Sequence, residues 1–134
     1  MESSTRHLPQ HPIHLGLGAV ATVQPPFSGD VNWFADYTER VAADGNDGWL
    51  VSMYTFTDSW DVWEMHPNGH EIVVCTAGSV RLRQEHADGT TDTVELTVGD
   101  AAINPPGTWH TAEVEEPTTC VFITAGLGTE HRPC

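Results

Sequence analysis

From Gly48 onward the chain consists of short segments in which apolar and polar residues alternate, separated by turn-forming residues. Successive side chains of a strand point to opposite faces, so this alternation is typical of half-buried β-strands. The sequence Ala87-Asp88-Gly89-Thr90 has the composition of a hairpin turn. Many short strands at this spacing predict an all-β sandwich or barrel. The predicted strands are 49–57, 60–66, 71–76, 79–86, 91–98, 101–104, 111–114 and 119–125.

The region before Gly48 predicts one strand and one helix. Residues 15–23 form a plausible first strand, ended by Pro25 and Pro26, which cannot continue a central strand. Residues 30–43 have helical periodicity, with Asp30 as the N-cap. The aromatic and apolar side chains of this helix are interpreted as packing residues against the barrel. They are Trp33, Phe34, Tyr37 and Val41.

The two ends of the chain lack periodicity. Residues 1–12 are interpreted as a loose arm, in which His7 and His11, together with the nearby His14, are solvated rather than metal ligands. Residues 127–134 are predicted to be a coil with a solvated His131. The expected organisation is therefore a flexible arm over 1–12, a barrel over 13–126 and a tail over 127–134.

Composition excludes several classes of partner and reaction. The formal net charge is −14 and the chain has no lysine, so neither nucleic acid nor an anionic membrane surface is an expected partner, and Schiff-base chemistry is excluded. A length of 134 residues fits one domain. No apolar run is long enough for a membrane span and no secretory signal is evident, so we expect a cytoplasmic protein without a disulfide framework. Exposed strand edges favour a homodimer.

Acidic and imidazole side chains are concentrated between Glu64 and Gly78. By alternation Glu64 and His66 share one face of a strand, and Pro67-Asn68-Gly69 supplies turn chemistry. A hairpin here would bring Glu71 back beside His66. Two carboxylates and an imidazole at one hairpin end are half of a plausible metal site.

The other half follows about thirty residues later, and together the two segments resemble the motifs of the cupin family. That family is identified by G-x5-H-x-H-x3,4-E-x6-G followed by G-x5-P-x-G-x2-H-x3-N. Three positions depart from the pattern: Asp58, Glu64 and Val114 stand where glycine, the first histidine and asparagine are usual. The matching residues are His66, Glu71, Gly78, Gly99, Pro105, Gly107 and His110.

The resemblance implies a single cupin-type barrel of the double-stranded β-helix or jelly-roll kind, with a divalent metal. It implies His66, Glu71 and His110 as ligands, with Glu64 as an unusual fourth. Imidazole and carboxylate ligands suit Fe, Mn, Ni or Zn. Glu64 has three interpretations: a ligand, an unligated general base, or a solvent-facing residue beside a weakly held or absent metal. His70 is expected to point away unless the turn is distorted.

A pocket beside such a metal would be lined by inward-facing residues of neighbouring strands. This lining suits a small, partly aromatic or apolar molecule. Arg81 and Arg83 share one strand face; either they hold a substrate carboxylate or they are exposed charges that offset the acidic surface. The other pocket candidates are Tyr54, Phe56, Trp60, Val62, Val73 and Cys75.

Two classes of function remain open. The first is a metal-dependent enzyme acting on a small organic molecule, either an oxygenase or an isomerase, cyclase or lyase in which Glu64 moves a proton. The alternative is a non-catalytic cupin that holds a small ligand with weak or no metal. Fold alone does not choose between these classes.

Overall fold

The computed structural model describes residues 5–134 and consists mainly of β-strands. The strands are β1 (Ile13–Leu15), β2 (Ala21–Val23), β3 (Trp49–Phe56), β4 (Val62–Met65), β5 (Glu71–Ala77), β6 (Ser79–Glu85), β7 (Thr91–Thr97), β8 (Ala101–Asn104), β9 (Trp109–Glu113), β10 (Thr118–Thr124) and β11 (Glu130–Pro133). Over residues 5–134 there is one α-helix, α1, which spans Val31–Arg40, and short 3₁₀ segments span Leu17–Ala19 and Ala42–Asp47. Within the described residues, no helix has the length and hydropathy required to cross a membrane.

Two antiparallel sheets enclose the core, which confirms the predicted all-β class. The first sheet has the order β2-β1-β3-β10-β5-β8 and the second β11-β4-β9-β6-β7. Alternate residues of each strand are buried between the sheets, as the sequence pattern requires. The buried apolar residues of this core are Val73, Cys75, Val80, Leu82, Leu96, Ala102, Ala112, Cys120 and Phe122.

The predicted hairpin between the strands before and after Pro67-Asn68-Gly69 is wrong. Strand β4 pairs with β9 and β11, whereas β5 pairs with β10 and β8, so the connection crosses from one sheet to the other. The crossing is tight at Gly69, where an added Cβ would lie 2.4 Å from the Cβ of Ala125. His66 and Glu71 therefore face each other from opposite sheets rather than as hairpin neighbours.

The helix begins where the sequence predicts. The Asp30 side chain accepts a hydrogen bond from the backbone N–H of Trp33 at 2.8 Å, as an N-cap does. Trp33 is the buried residue of the helix and stacks on Tyr37, with ring centroids 5.7 Å apart. Phe34 is 43% exposed, so the apolar face is narrower than the sequence pattern indicates.

The N-terminal region differs from its prediction in two respects. The single strand expected over 15–23 is divided into β1 and β2 by the first 3₁₀ segment. His14, expected to be solvated, is buried, with Nδ1 2.7 Å from the Tyr37 hydroxyl and Nε2 2.7 Å from Asp44 Oδ2. Both ring nitrogens have partners, so this imidazole ties β1 to the helical segments.

The described part of the expected arm, residues 5–12, contacts the rest of the fold. The Phe27 N–H donates to the Gln10 carbonyl at 2.7 Å, and Pro12 is fully buried. The prediction of a loose arm is therefore wrong for the segment near Pro12, and residues 1–4 lie outside the described residues.

The predicted C-terminal coil instead contains β11, which pairs antiparallel with β4. The Arg132 guanidinium lies over the rings of Trp63 and Trp109, 5.1 and 4.6 Å from their centroids, and forms an ion pair with Glu85. Cation–π contacts of this kind stabilise by about 0.5–2 kcal/mol. They fix β11 at the edge of the second sheet.

Candidate metal centre

The four predicted ligand side chains converge between the two sheets. Glu64 lies on β4, His66 directly after it, Glu71 at the start of β5 and His110 on β9. One ligand atom each from Glu64, His66 and His110 lie within 4.8 Å of one another. Glu71 Oε2 is 3.4 Å from His66 Nε2, and Glu71 Oε1 is 3.1 Å from His110 Nε2. Donor atoms at these separations can share one ion.

Hydrogen bonds determine which nitrogen of His66 carries the proton. The Thr129 hydroxyl donates to the Gly126 carbonyl at 2.7 Å, which uses its only hydrogen. The same hydroxyl oxygen is 2.7 Å from His66 Nδ1 and therefore accepts from an Nδ1–H. The neutral ring then presents a bare lone pair at Nε2, which is buried and has no hydrogen-bond partner among the residues that the structure describes.

His110 has the same arrangement. Its Nδ1 faces the Thr108 carbonyl at 3.4 Å, an oxygen that can only accept, so Nδ1 carries the hydrogen. Its Nε2 is also buried. In this tautomer Nε2 has no hydrogen-bond donor within residues 5–134, since the nearby Glu71 oxygen can only accept. The two rings lie 5.0 Å apart between centroids, so both lone pairs are presented to one small region.

The Glu71 carboxylate is held by donors from both neighbouring strands. Asn104 Nδ2 donates to Oε1 at 3.0 Å and Thr124 Oγ1 donates to Oε2 at 2.6 Å. Gln84 of the opposite sheet donates to Asn104 Oδ1 at 2.7 Å and fixes the amide in turn. Each carboxylate oxygen has a second lone pair, so these bonds orient Glu71 and still permit ligation.

Charge at the centre shifts the pKa values of its members. Burial and the neighbouring Glu71 carboxylate raise the pKa of Glu64 above its ordinary value. Burial alone would raise the pKa of Glu71. When His110 and His66 are protonated on both nitrogens, as they can be without a metal, their Nε2–H groups and positive charge outweigh the burial and lower this pKa. Burial alone would lower the pKa of His110, and the Glu71 carboxylate reverses this and raises it. The negative charge of Glu71 thus contributes to the raised pKa of both Glu64 and His110.

A divalent cation fits this donor set. Two bare imidazole lone pairs and two carboxylates face one another in a buried region, an arrangement that costs free energy unless a positive charge lies among them. The mixture of imidazole nitrogen and carboxylate oxygen suits first-row transition metals. Glu64 is the most accessible of the four, with 25% of its side chain exposed against 4% or less for the others.

Most of the predicted pocket residues lie near the core around this centre. The Trp60 ring is 6.4 Å from the His110 ring between centroids. Tyr54, whose pKa is raised by burial and by the charges of Glu64 and Glu71, packs on the core together with Phe56 and Trp60. Val73 and Cys75 are enclosed in the core, where a ligand has little access to them. Val62 is half-buried.

Arg81 and Arg83 do not lie in the pocket. They are on the outer face of β6, opposite the buried Val80, Leu82 and Gln84, because alternation sends odd and even positions to opposite faces. Their guanidinium groups pair on the surface, Arg81 with Glu95 at 3.3 Å and Arg83 with Glu113 at 3.8 Å. The interpretation of these arginines as a substrate-binding fork is wrong. His70 is exposed, so it does not replace a ligand.

Sequence reasoning missed the residues that orient the ligands. Gln84 had a detectable signal, because a polar residue at an inward position after Val80 and Leu82 needs a buried partner. Asn104 directly precedes the proline pair of the second motif. Thr124 and Thr129 carry no local signal, since hydroxyl side chains are common on both faces of strands.

The chain matches the family model described as Cupin domain over residues 57–126, more than half of its length. No curated protein is detectably similar to it in sequence.

Solved structures with a similar fold come from proteins that are described by different activities. One is peruvianin-I, a cysteine peptidase from Thevetia peruviana latex, with TM-score 0.52, 18% identity, and coverage of 61% of this chain and 54% of the other. Another is a hydroquinone 1,2-dioxygenase in complex with Cd²⁺ and 4-hydroxybenzonitrile, with TM-score 0.50, 17% identity and coverage of 57% and 56%. A third is a mutant of Bacillus subtilis oxalate decarboxylase, with TM-score 0.52, 21% identity and coverage of 63% and 23%. The match covers about half the length of the first two, and at these identities the likeness shows the fold alone.

Proposed function

Because the chain belongs to the cupin family, we propose that it is a metal-dependent enzyme that acts on a small organic molecule in the barrel. His66, His110 and Glu71 would hold a divalent ion of Fe, Mn, Ni or Zn, with Glu64 as the additional carboxylate. The observation that supports this most strongly is a pair of buried Nε2 atoms that have no hydrogen-bond partner within residues 5–134 and lie 3.1 to 3.9 Å from oxygens of Glu71 and Glu64.

The reaction belongs to one of two classes that this ligand set supports. A bound divalent ion would supply Lewis acidity or, in the case of iron, a position for dioxygen. The fold is compatible with both, since similar structures include a dioxygenase and a decarboxylase by name. The enzyme is therefore an oxygenase, or an isomerase, cyclase or lyase.

The chain's own residues have separate tasks in this proposal. Glu64, the most accessible carboxylate, has two alternative roles: it binds the ion, or it stays unligated and accepts or returns a proton of the substrate. The second role is favoured by its raised pKa, which lies closer to neutral pH than the ordinary value. The rings of Trp60, Tyr54 and Phe56 form the apolar wall that a small substrate would contact. Asn104 and Thr124 keep Glu71 oriented throughout the reaction.

Metal analysis tests the proposal. We expect the purified protein, or the protein reconstituted with Fe²⁺, Mn²⁺, Ni²⁺ or Zn²⁺, to hold close to one equivalent of one of these ions. Less than about a tenth of an equivalent after reconstitution would favour the non-catalytic alternative, since a buried site with two carboxylates and two imidazoles should retain a divalent ion. That alternative draws support from the raised pKa of Glu64, whose protonated form is a poor ligand.

The role of Glu64 is tested by Glu64→Ala beside Glu95→Ala, which removes an exposed carboxylate on β7. Loss of metal from Glu64→Ala alone indicates a ligand. Retained metal with lost turnover indicates proton transfer. Retained metal with wild-type turnover would refute both roles for Glu64. The homodimer and the cytoplasmic location stay predictions.

A further inference from the structure

The C-terminal strand places one more imidazole beside the metal centre. In the register of the second sheet, His131 lies opposite Glu64 on β11 and β4, and Glu64 lies opposite His110 on β4 and β9. Residues directly opposite each other on adjacent strands share a face and have Cβ atoms about 4.5–5.5 Å apart. His131, Glu64 and His110 therefore form one row of side chains across three strands.

The His131 imidazole points towards this row and contacts its central member. His131 Nε2 is 3.8 Å from Glu64 Oε1, on the more accessible side of the centre. The side chain is 57% exposed, so packing does not fix the ring in one orientation. His66 and His110, in contrast, are almost completely buried.

The backbone of this segment is fixed on both sides of His131. Thr129 accepts the Nδ1–H of His66, and Arg132 lies over Trp63 and Trp109 on the opposite face of the sheet. The strand thus has a defined register, whereas the His131 ring retains freedom to turn. These are the properties of a ligand that completes a site after the ion has entered.

We propose that His131 is a further metal ligand, which supplies a third imidazole from the C-terminal strand. This inference rests on the proposed function, because it requires a metal at His66, His110 and the two carboxylates. A third imidazole nitrogen makes the donor set less dominated by carboxylate oxygen and favours Ni²⁺ or Zn²⁺, for which imidazole is a preferred donor.

The test uses Zn²⁺ and protein labelled with ¹⁵N at its eight histidines. Long-range proton–nitrogen spectra report the state of each ring nitrogen separately, with or without any enzyme activity. We expect Zn²⁺ to shift Nε2 of three histidines in the wild type and of two in His131→Gln. The Zn²⁺ dissociation constant, measured against a chelator, should rise about 10- to 100-fold in His131→Gln. The control is His7→Gln, which removes another exposed imidazole and should change neither result.

Each other outcome overturns a different statement. If Zn²⁺ shifts only His66 and His110 and the affinity of His131→Gln matches that of His7→Gln, the inference is wrong and the proposed metal centre stands. If the affinity falls while the His131 nitrogens do not shift, His131 acts through Glu64 and is not a ligand. If Zn²⁺, Fe²⁺, Mn²⁺ and Ni²⁺ all leave His66 and His110 unshifted, the proposed function itself fails.

Discussion

Replacing Thr129 by valine tests whether a single hydroxyl determines how the metal centre is prepared. Valine keeps the shape of the side chain and removes the oxygen that accepts from His66 Nδ1–H and donates to the Gly126 carbonyl. Without this acceptor the neutral ring can place its hydrogen on Nε2, the atom that should face the metal. We therefore expect weaker metal binding although Thr129 is not a ligand.

The expected losses of metal affinity and of folding stability follow from the two hydrogen bonds that the substitution removes, each 2.7 Å long. Loss of a side chain that orients a ligating histidine typically costs about 10- to 100-fold in metal affinity, or about 1.4–2.8 kcal/mol. In the metal-free protein, a buried N–H and a carbonyl left without partners should lower the free energy of unfolding by about 1–3 kcal/mol. Thr129→Ser retains the hydroxyl and should recover most of both losses.

Chelator competition measures the affinity, and urea unfolding in the presence of EDTA measures the stability. Thr93→Val on the exposed strand β7 is the matched control and should change both quantities by less than about 0.5 kcal/mol. If Thr129→Val binds metal as tightly as the wild type, the assignment of the His66 hydrogen to Nδ1 is wrong, and with it the argument that Nε2 presents a bare lone pair.

Two further predictions concern titration and thiol reactivity. In metal-free protein, ionised Glu71 stabilises the fold above its ordinary pKa of 4.5, and this stabilisation is lost as pH falls through its lowered pKa. Protonated His110 stabilises the fold below its ordinary pKa of 6.5, and this stabilisation is lost as pH rises through its raised pKa. The difference in unfolding free energy between the wild type and Glu71→Gln should therefore be largest between about pH 4.5 and 6.5, and a difference independent of pH would contradict the coupling. Burial and the adjacent Cys75 raise the pKa of Cys120 to about 12, so iodoacetamide should alkylate the exposed Cys134 and neither buried cysteine in the folded protein, as mass spectrometry of peptides would show. Modification of Cys120 at the rate of Cys134 would show that the core opens readily.

The strands and the helix start were predictable because their signals are local. Alternation over residues 71–76 and 79–86 reports burial directly, and Asp30 three residues before the buried Trp33 is sufficient to locate the first helical turn. The spacing of His66, Glu71 and His110 is likewise a local pattern in two segments. Such signals need no knowledge of which strand pairs with which.

The pairing of strands was not predictable in the same way. The segment Glu130–Pro133 is short, has no apolar alternation and ends in proline, yet it pairs with β4, about 65 residues earlier in the sequence. The turn at Pro67-Asn68-Gly69 is equally compatible with a hairpin and with a crossing between sheets, and only the alternative partners of β4 and β5 decide. The partners of these strands are therefore determined by tertiary contacts and not by local propensity.

The arginines illustrate a different limit. The sequence places both on one face of β6, but the inward face is the opposite one, which carries the buried Val80 and Leu82. His14 was missed for a similar reason, because its partners Tyr37 and Asp44 are 23 and 30 residues away. The burial of a polar residue can be predicted only when its hydrogen-bond partners are known.

The close approach of Gly69 to Ala125 has a consequence for how this centre can diverge. The distance between the β4–β5 connection and the end of β10 is limited by main chain meeting the Ala125 methyl group, independently of the identity of the donors. Exchanges among donor side chains, such as carboxylate for imidazole, can therefore change the affinity and the choice of ion while this backbone spacing is kept. Even the smallest side chain at position 69 would force this connection or Ala125 to shift, and His66 and Glu71 lie at the two ends of the connection.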